Sequence, residues 1–362
     1  MQIPNWPIAG ERELDLVRQV LESPQWGGFH EIVGEFERQF AAFQHCRHCV
    51  TASNGTVTLE IGLAASGIGP GDEVIVPAVS FISTATAVNR VGATPVFVDV
   101  EEYSFNMDPL RAAAAITDKT KALIAVHFGG PLANMDSLQN LAEQAGVMLI
   151  EDAAHAHGSD WRGRRAGSFG RWASFSFQNG KVLTAGEGGA LTTNDDELAE
   201  LFRSYANQGR RADGESFFHH YRLASNQRMT ALQAAVLIGQ LERLPAQIAL
   251  RSEREALLRS LALGIQWQSV PEQVNQHSHY LVLGRTPHRD ALGERLKAAG
   301  VPFTPFYPHG LYGNPIYRDG VASHRATPCP VTEDCLRDAF WLPHRVLHAE
   351  EETIREIAAL MA

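Results

Sequence analysis

The chain has 362 residues and a mass of 39.7 kDa, enough for about two domains and a core that needs neither disulfide nor metal. With 44% hydrophobic and 20% charged residues it is a globular sequence, not a disordered one. The net charge of -10, with no basic block, argues against nucleic acid or an anionic membrane as partner. The opening MQIPNWPIAG lacks a signal-peptide pattern, and no apolar run is long enough to cross a bilayer. Four cysteines make no disulfide scaffold in a chain this long, so the expectation is a cytoplasmic protein with reduced thiols.

Seven short β-rich runs follow in chain order: Cys49–Ala52, Glu73–Val76, Pro95–Val98, Ala122–His127, Val147–Glu151, Ala173–Phe177 and Ala190–Thr193. Continuous apolar stretches such as VIV, VFV and LIAV mark strands buried on both faces, as in a parallel sheet between helices. Thr56–Ser66, Phe81–Val91, Asp108–Ala115 and Ala133–Ala145 are long enough for crossover helices. The alternation breaks after Glu151, where a loop rich in Gly, Arg and His shows no helix. Between Phe177 and Ala190 the connection is too short for a crossover, so one strand there should run antiparallel. The expectation is an α/β fold with a mixed, mainly parallel sheet of seven strands. Helices are expected at Met229–Leu244, just before Pro245, and at Glu253–Leu263. A large domain of residues 1–245, with an N-terminal helix, then gives way to a smaller α+β domain of 246–362. The latter carries a strand near Tyr280–Gly284, a helix near Arg289–Ala299, a Pro/Tyr-rich loop from Pro302 to Tyr317 and a closing helix from Ala349.

Ligands of open α/β sheets sit beyond the carboxyl ends of the strands. After the first strand, Ser53-Asn54-Gly55-Thr56 opens a helix, which makes either an anion site or a plain N-cap. After the fifth comes Glu151-Asp152-Ala153-Ala154-His155-Ala156-His157. Its acid points toward the crevice; its two histidines lack a third ligand at helical spacing, which disfavours zinc. After the sixth, Lys181 stands five residues beyond Ser176, flanked by apolar and small residues. Burial there would favour the neutral amine that carbonyl chemistry needs. An anion site, a strand-end carboxylate and a buried lysine are together the parts of a pyridoxal phosphate (PLP) site.

Several segments carry a family resemblance: GIGPGDEVIVPAVSFISTATA (Gly67–Ala87), GATPVFVDV (Gly92–Val100), ITDKTKALIAVHFGG (Ile116–Gly130), EDAAHAHGS (Glu151–Ser159), SFSFQNGKVLTAGEGGA (Ser174–Ala190) and SNQRMTALQAAVL (Ser225–Leu237). From about Trp6 to the C-terminus the chain resembles the DegT/DnrJ/EryC1/StrS sugar aminotransferases, PLP enzymes of fold type I. FQNGK with LTAGEGG, HSHYLVL (His277–Leu283) and WLPHRVLHA (Trp341–Ala349) are most similar to the branch of 3-amino-5-hydroxybenzoate synthases and inosose aminotransferases.

The resemblance implies that Lys181 carries the cofactor as a Schiff base and moves the substrate proton. It implies that Asp152 pairs with the pyridine nitrogen, that His155 lies against the ring and that Phe81 stacks on its other face. Gly55, Thr56 and Ser176 would bind the phosphate, joined by Asn226 of a neighbouring subunit in a homodimer with shared sites. SerAsnGlyThr stands where much of the family has SerGlyThr, so the cofactor set at this turn is Asn54, Gly55 and Thr56; Val57 and Thr58 replace a usual small or polar pair. Dehydratases of the family carry His at the lysine position, and Lys181 argues against that reaction. The implied activity is transfer of an amino group from Glu or Gln to a keto sugar or keto cyclitol, in secondary-metabolite or cell-surface sugar biosynthesis. An aromatising 3-amino-5-hydroxybenzoate synthase shares these motifs as an alternative; a non-catalytic PLP-binding regulator is a further one, against which the intact Lys181 and Asp152 argue. As a helix N-cap, Asn226 would also have a local role.

Other residues have milder readings. Cys46 and Cys49 have CxxC spacing, yet Cys329 and Cys335 form no second pair of that kind, so reduced cysteines near a strand are expected and no metal. His219, His220, Tyr221 and Arg222 could line a substrate entrance. Arg162, Arg164 and Arg165 form either a solvated face or a diphosphate site.

Overall fold

The computed structural model describes residues 1–213 and 216–362. Two amphipathic helices, α1 (Glu11–Glu22) and α2 (Glu31–Phe43), precede the first strand. The first five strands are β1 (His48–Ala52), β2 (Glu73–Pro77), β3 (Thr94–Val98), β4 (Thr120–Val126) and β5 (Met148–Asp152). Between them run α3 (Gly55–Ala65), α4 (Ser83–Arg90), α5 (Pro109–Ala115) and α6 (Met135–Ala145). Two-residue strands β6 (Asp160–Trp161) and β7 (Arg164–Arg165) form a small hairpin before β8 (Trp172–Ser176) and β9 (Gly189–Thr193). Helix α7 (Asp196–Ala206) leads toward the long α8 (Ala231–Leu261).

These strands build an α/β fold whose central sheet is mixed and mainly parallel, as expected. β9 is its antiparallel member, pairing with β1 and with β8, where Ser176 faces Gly189. Alternate residues of the inner strands feed two cores. Ile75, Val96, Val98 and Leu123 pack on one face; Val74, Val76, Phe97 and Ile124 pack on the other. Among the described residues the sheet has eight strands, not seven. A two-residue strand from late in the chain, labelled β13 below, pairs parallel with β3 at Arg325↔Val96. A pair that short carries no periodic signal in the sequence.

A second correction concerns Pro245. Two separate helices were expected around it, but α8 runs through it. The buried positions Leu237, Leu241, Leu244, Ile248, Arg251, Glu255 and Leu258 keep a three-and-four spacing across the proline. Pro245 itself is exposed, and the single helical bond it removes is the one to the Leu241 carbonyl. Packing along this stripe outweighs the local break, and the expected division after residue 245 falls inside a helix. The Asn226 cap is also displaced, since Thr230 caps α8 and forms a capping box with Gln233.

The rest of the chain forms a four-stranded antiparallel sheet from β10 (Gln266–Trp267), β11 (Leu281–Arg285), β12 (Thr304–Pro305) and β14 (Ala339–Pro343), with β13 (Arg325–Ala326) going to the large sheet. Helices α9 (Arg289–Ala298) and α12 (Glu351–Met361) cover it, and α10 (Pro315–Arg318) and α11 (Pro330–Asp338) lie in the connection. Among the described residues, no helix is long and apolar enough to cross a membrane.

Candidate active site

Side-chain alternation sends the two acids that end β5 to opposite sides. Glu151 is fully buried, and its carboxylate accepts four hydrogen bonds. The donors are His127 Nε2 at 3.0 Å and the amides of Gly167 at 2.7 Å, Phe169 at 2.7 Å and Gly170 at 2.8 Å. His127 Nδ1 accepts from Ala133 N, which leaves the ring proton on Nε2. Burial alone would raise the Glu151 carboxyl, yet these bonds bring it below its ordinary value. Glu151 therefore pins the 167–170 loop beneath the strand end. Glu151→Ala should cost about 3–5 kcal/mol because it strands buried donors. Urea denaturation should show a clearly lowered midpoint, and an unchanged one would remove Glu151 from the scaffold.

Asp152 faces the other way. Its Oδ2 accepts from Thr84 Oγ1 at 2.7 Å, and Thr84 accepts in turn from Ser80 at 2.7 Å. It is 7% exposed and has no ion-pair partner among the described residues. A buried carboxylate with one hydroxyl donor and one long bond from the Ala154 amide, 3.3 Å, has acceptor capacity to spare. Beside Thr84, Ser83 reaches Thr56 Oγ1 at 2.7 Å and so links Asp152 to the start of α3.

At that start Asn54 is the N-cap, its Oδ1 accepting from Val57 N at 2.9 Å. Its side-chain oxygen is thus engaged in the helix itself. The first-turn amides of Gly55 and Thr56 have no acceptor among the described residues and form the electropositive end of α3. Gly55 packs on the end of β8 so closely that an added Cβ would lie 2.7 Å from Ser176 Cβ. Gly55, Thr56, Ser83 and Ser176 thus form one donor-rich corner.

Beyond β8 the chain turns at Gln178–Gly180 into Lys181. The lysine is half-buried, more open than the sequence suggested. Its Nζ lies 4.6 Å from the centre of the Tyr280 ring. The same ring lies 4.4 Å from that of His155. His155 is buried, and its Nδ1 accepts from Gly129 N at 3.3 Å. Burial first, then the positive charge of Lys181, holds it well below the ordinary histidine range, so it is neutral. Phe81 is 59% exposed at the end of the β2–α4 connection. Asn226 is exposed and bridges Asn207; its neighbour Gln227 accepts from Ser53 N at 2.8 Å.

The DegT/DnrJ/EryC1/StrS aminotransferase family matches residues 7–361. The chain belongs to this family. It is 40% identical to a 3-amino-5-hydroxybenzoate synthase of Amycolatopsis mediterranei, over 100% of this chain and 97% of that protein. It is 34% identical to an L-glutamine:2-deoxy-scyllo-inosose aminotransferase of Streptoalloteichus tenebrarius, over 99% and 93% respectively. A crystal structure of 3-amino-5-hydroxybenzoic acid synthase matches with a TM-score of 0.94 and 38% identity, covering 99% of this chain and 97% of that one. The aminotransferase is accordingly a PLP-dependent enzyme of fold type I.

Sequence reasoning missed Ser83, Thr84 and Glu151. The hydroxyl-rich run Ser80–Thr86 directly after a buried strand was the available signal for the first two. The remaining candidates have structural partners. Arg162 pairs with Asp136 at 2.9 Å, while Arg164 and Arg165 bond the carbonyls of Ser168 and Gly158. His220 bonds Gln208 O at 2.8 Å and Arg222 bonds Ser204 at 3.0 Å. All four cysteines are free and buried. A buried cluster of Glu255, His277 and His279 brings three ligand atoms within 4.8 Å. Its carboxylate is already bound by His279 at 2.6 Å and by Arg259. With the buried Arg251 acting on the same group, the cluster is a salt-bridge network that repels a cation.

Proposed function

We propose that this aminotransferase moves an amino group from L-glutamine or L-glutamate to a keto cyclitol or keto sugar. The observation that carries the reading is Lys181 and His155 meeting on the Tyr280 ring, with a buried Asp152 that has no ion-pair partner among the described residues, in a chain 34% identical over 99% of its length to an inosose aminotransferase. These residues fit PLP. The free amides of α3 with Thr56, Ser83 and Ser176 would hold its phosphate. Asp152, braced by Thr84, would accept from the ring nitrogen and keep it protonated. Neutral His155 and the exposed Phe81 would flank the ring.

When bound, PLP supplies an aldehyde that joins amines and a protonated ring that delocalises the electrons left by a departing α-proton. Lys181 Nζ would be the group that takes up that proton, holds it and returns it. The Tyr280 ring, 4.6 Å from Nζ, would orient the amine.

A homodimer belongs to the same proposal. Trp26, Phe29, Phe217 and Phe218 are more than half exposed, and Leu223 is fully exposed, three residues before Asn226. An apolar surface of this kind calls for a protein partner, and a second copy would bring Asn226 to the neighbouring phosphate corner.

An aromatising synthase is the second reading, favoured by the 40% identical relative and the 0.94 structural match. Visible absorbance before and after excess L-glutamine or L-glutamate separates the two, with sedimentation mass and product analysis on the same sample. Loss of the lysine-bound cofactor band with one donor, twice the chain mass and an amine product are expected. A band that no donor shifts, with an aromatic product absorbing in the near ultraviolet, would replace this reading with the synthase.

A further inference from the structure

The main chain at Lys181 is held from two sides by residues distant in sequence. Trp6 Nε1 donates to the carbonyl of Lys181 itself at 3.1 Å. His344 Nε2 donates to the carbonyl of Gly180, one residue earlier, also at 3.1 Å. The two rings touch each other edge to face, 4.5 Å between centres. His344 N further donates to Tyr280 O at 3.1 Å, and Tyr280 is the ring that faces Lys181 Nζ at 4.6 Å.

Neither clamp residue is free to drift. The segment that carries Trp6 is tied along its length: Ile3 packs into the core of the smaller sheet. The Pro4 carbonyl accepts from Arg345 at 3.2 Å, and the Ile8 carbonyl accepts from Gln240 at 2.7 Å and Arg243 at 2.9 Å. His344 is 2% exposed and its Nδ1 has no partner among the described residues, so the ring is a neutral Nε2–H donor. Burial first, then the charge of Arg251, keeps it well below the ordinary histidine range, so its donor stays in place at working pH.

We propose that Trp6 and His344 are positioning residues for Lys181: together they fix the Gly180–Lys181 backbone so that Nζ stays aimed past Tyr280 at the reacting carbon. The argument rests on Lys181 being the cofactor-bearing lysine. Neither residue touches the reacting atoms. Their effect is on orientation, where a displacement of about 1 Å can cost on the order of 100-fold in rate.

The test uses the PLP-loaded enzyme and three variants. Trp6→Phe keeps the ring contact with His344 and removes the N–H. His344→Phe keeps an aromatic ring and removes the donor. His344→Gln offers an amide N–H at a similar reach. Cofactor content, kcat and KM for the amino donor, melting temperature and visible circular dichroism per bound cofactor are measured on each.

Trp6→Phe and His344→Phe are expected to bind cofactor fully and lose about tenfold or more in kcat at unchanged KM. Their visible ellipticity should weaken, because the chromophore is less rigidly oriented, and His344→Gln should recover most of both. A kcat and ellipticity equal to the unaltered enzyme in Trp6→Phe and His344→Phe would overturn the clamp, as would losses that follow melting temperature or cofactor content alone. If borohydride fixes no cofactor on Lys181 in the unaltered enzyme, the lysine assignment itself fails, which is a separate outcome.

Discussion

Lys181→Ala is expected to abolish amino transfer while leaving a folded protein that still takes up PLP. The side chain is half-buried and its ammonium touches the Tyr280 ring; it supports no ion pair among the described residues. The backbone around it is held by groups that the substitution leaves in place, the Trp6 N–H and the His344 ring. Stability should therefore change by no more than about 1 kcal/mol. Turnover is a different matter. Loss of a positioned acid–base group alone costs on the order of 10²–10⁴-fold, and the variant also loses its covalent hold on the cofactor.

Steady-state amino transfer should fall at least about 10³-fold, and borohydride should fix no cofactor on the variant. A small primary amine added to the assay should return part of the activity, since the missing chemistry is that of an amine. If turnover stays within tenfold of the unaltered enzyme, Lys181 is not the group that moves the proton.

The strands were readable because strands buried on both faces are apolar without interruption, as in Val74–Val76 and Leu123–Val126. The antiparallel β9 was readable from chain length alone, since the connection after Phe177 cannot make a crossover. Lys181 and Asp152 stood out as candidates because both follow strand ends, where ligands of open α/β sheets sit.

What escaped is what depends on distance in sequence. Trp6 meets Lys181 across 175 residues, and β13 joins β3 across more than 200. No local period encodes either contact. Pro245 misled for the opposite reason: a strong local rule lost to a buried stripe that continues on both sides of it. Glu151 was passed over because it stands next to the acid that faces the site. One step along a strand reverses the side to which a carboxylate points, and with it the role.

Below about pH 6.5 the protein should lose stability steeply, and the cause is the set of histidines folded in neutral form. Burial is the first cause in each case. It lowers His157 and His277 to about 3 and His348 to about 4, and it holds His155 and His344 well below their ordinary value. In the unfolded chain all five titrate near 6.5. Above that pH neither state binds protons on these rings, and their contribution is complete. As pH falls toward the folded values, the unfolded chain takes up protons that the folded one refuses. Near pH 5.5 the difference approaches five protons, or on the order of 6 kcal/mol per pH unit.

Burial raises the Glu60 and Glu101 carboxyls, which offsets a small part of this loss. Glu255 is first pushed up by burial but held at about 2 by His279 and Arg259, so its own contribution is lost only further down, between its ordinary value and about 2. A native stability of about 5–15 kcal/mol would then be exhausted one to two units below pH 6.5. Tryptophan fluorescence against pH should show a cooperative transition near pH 5. A signal that stays flat down to pH 4 would mean that the rings are protonated without unfolding the chain. His157→Phe gives the sharper test, because that ring already lies among Phe40, Phe175 and Phe177. Removing one proton acceptor from the unfolded side should make the transition shallower and move its midpoint to lower pH, and an unmoved midpoint would take His157 out of the acid response.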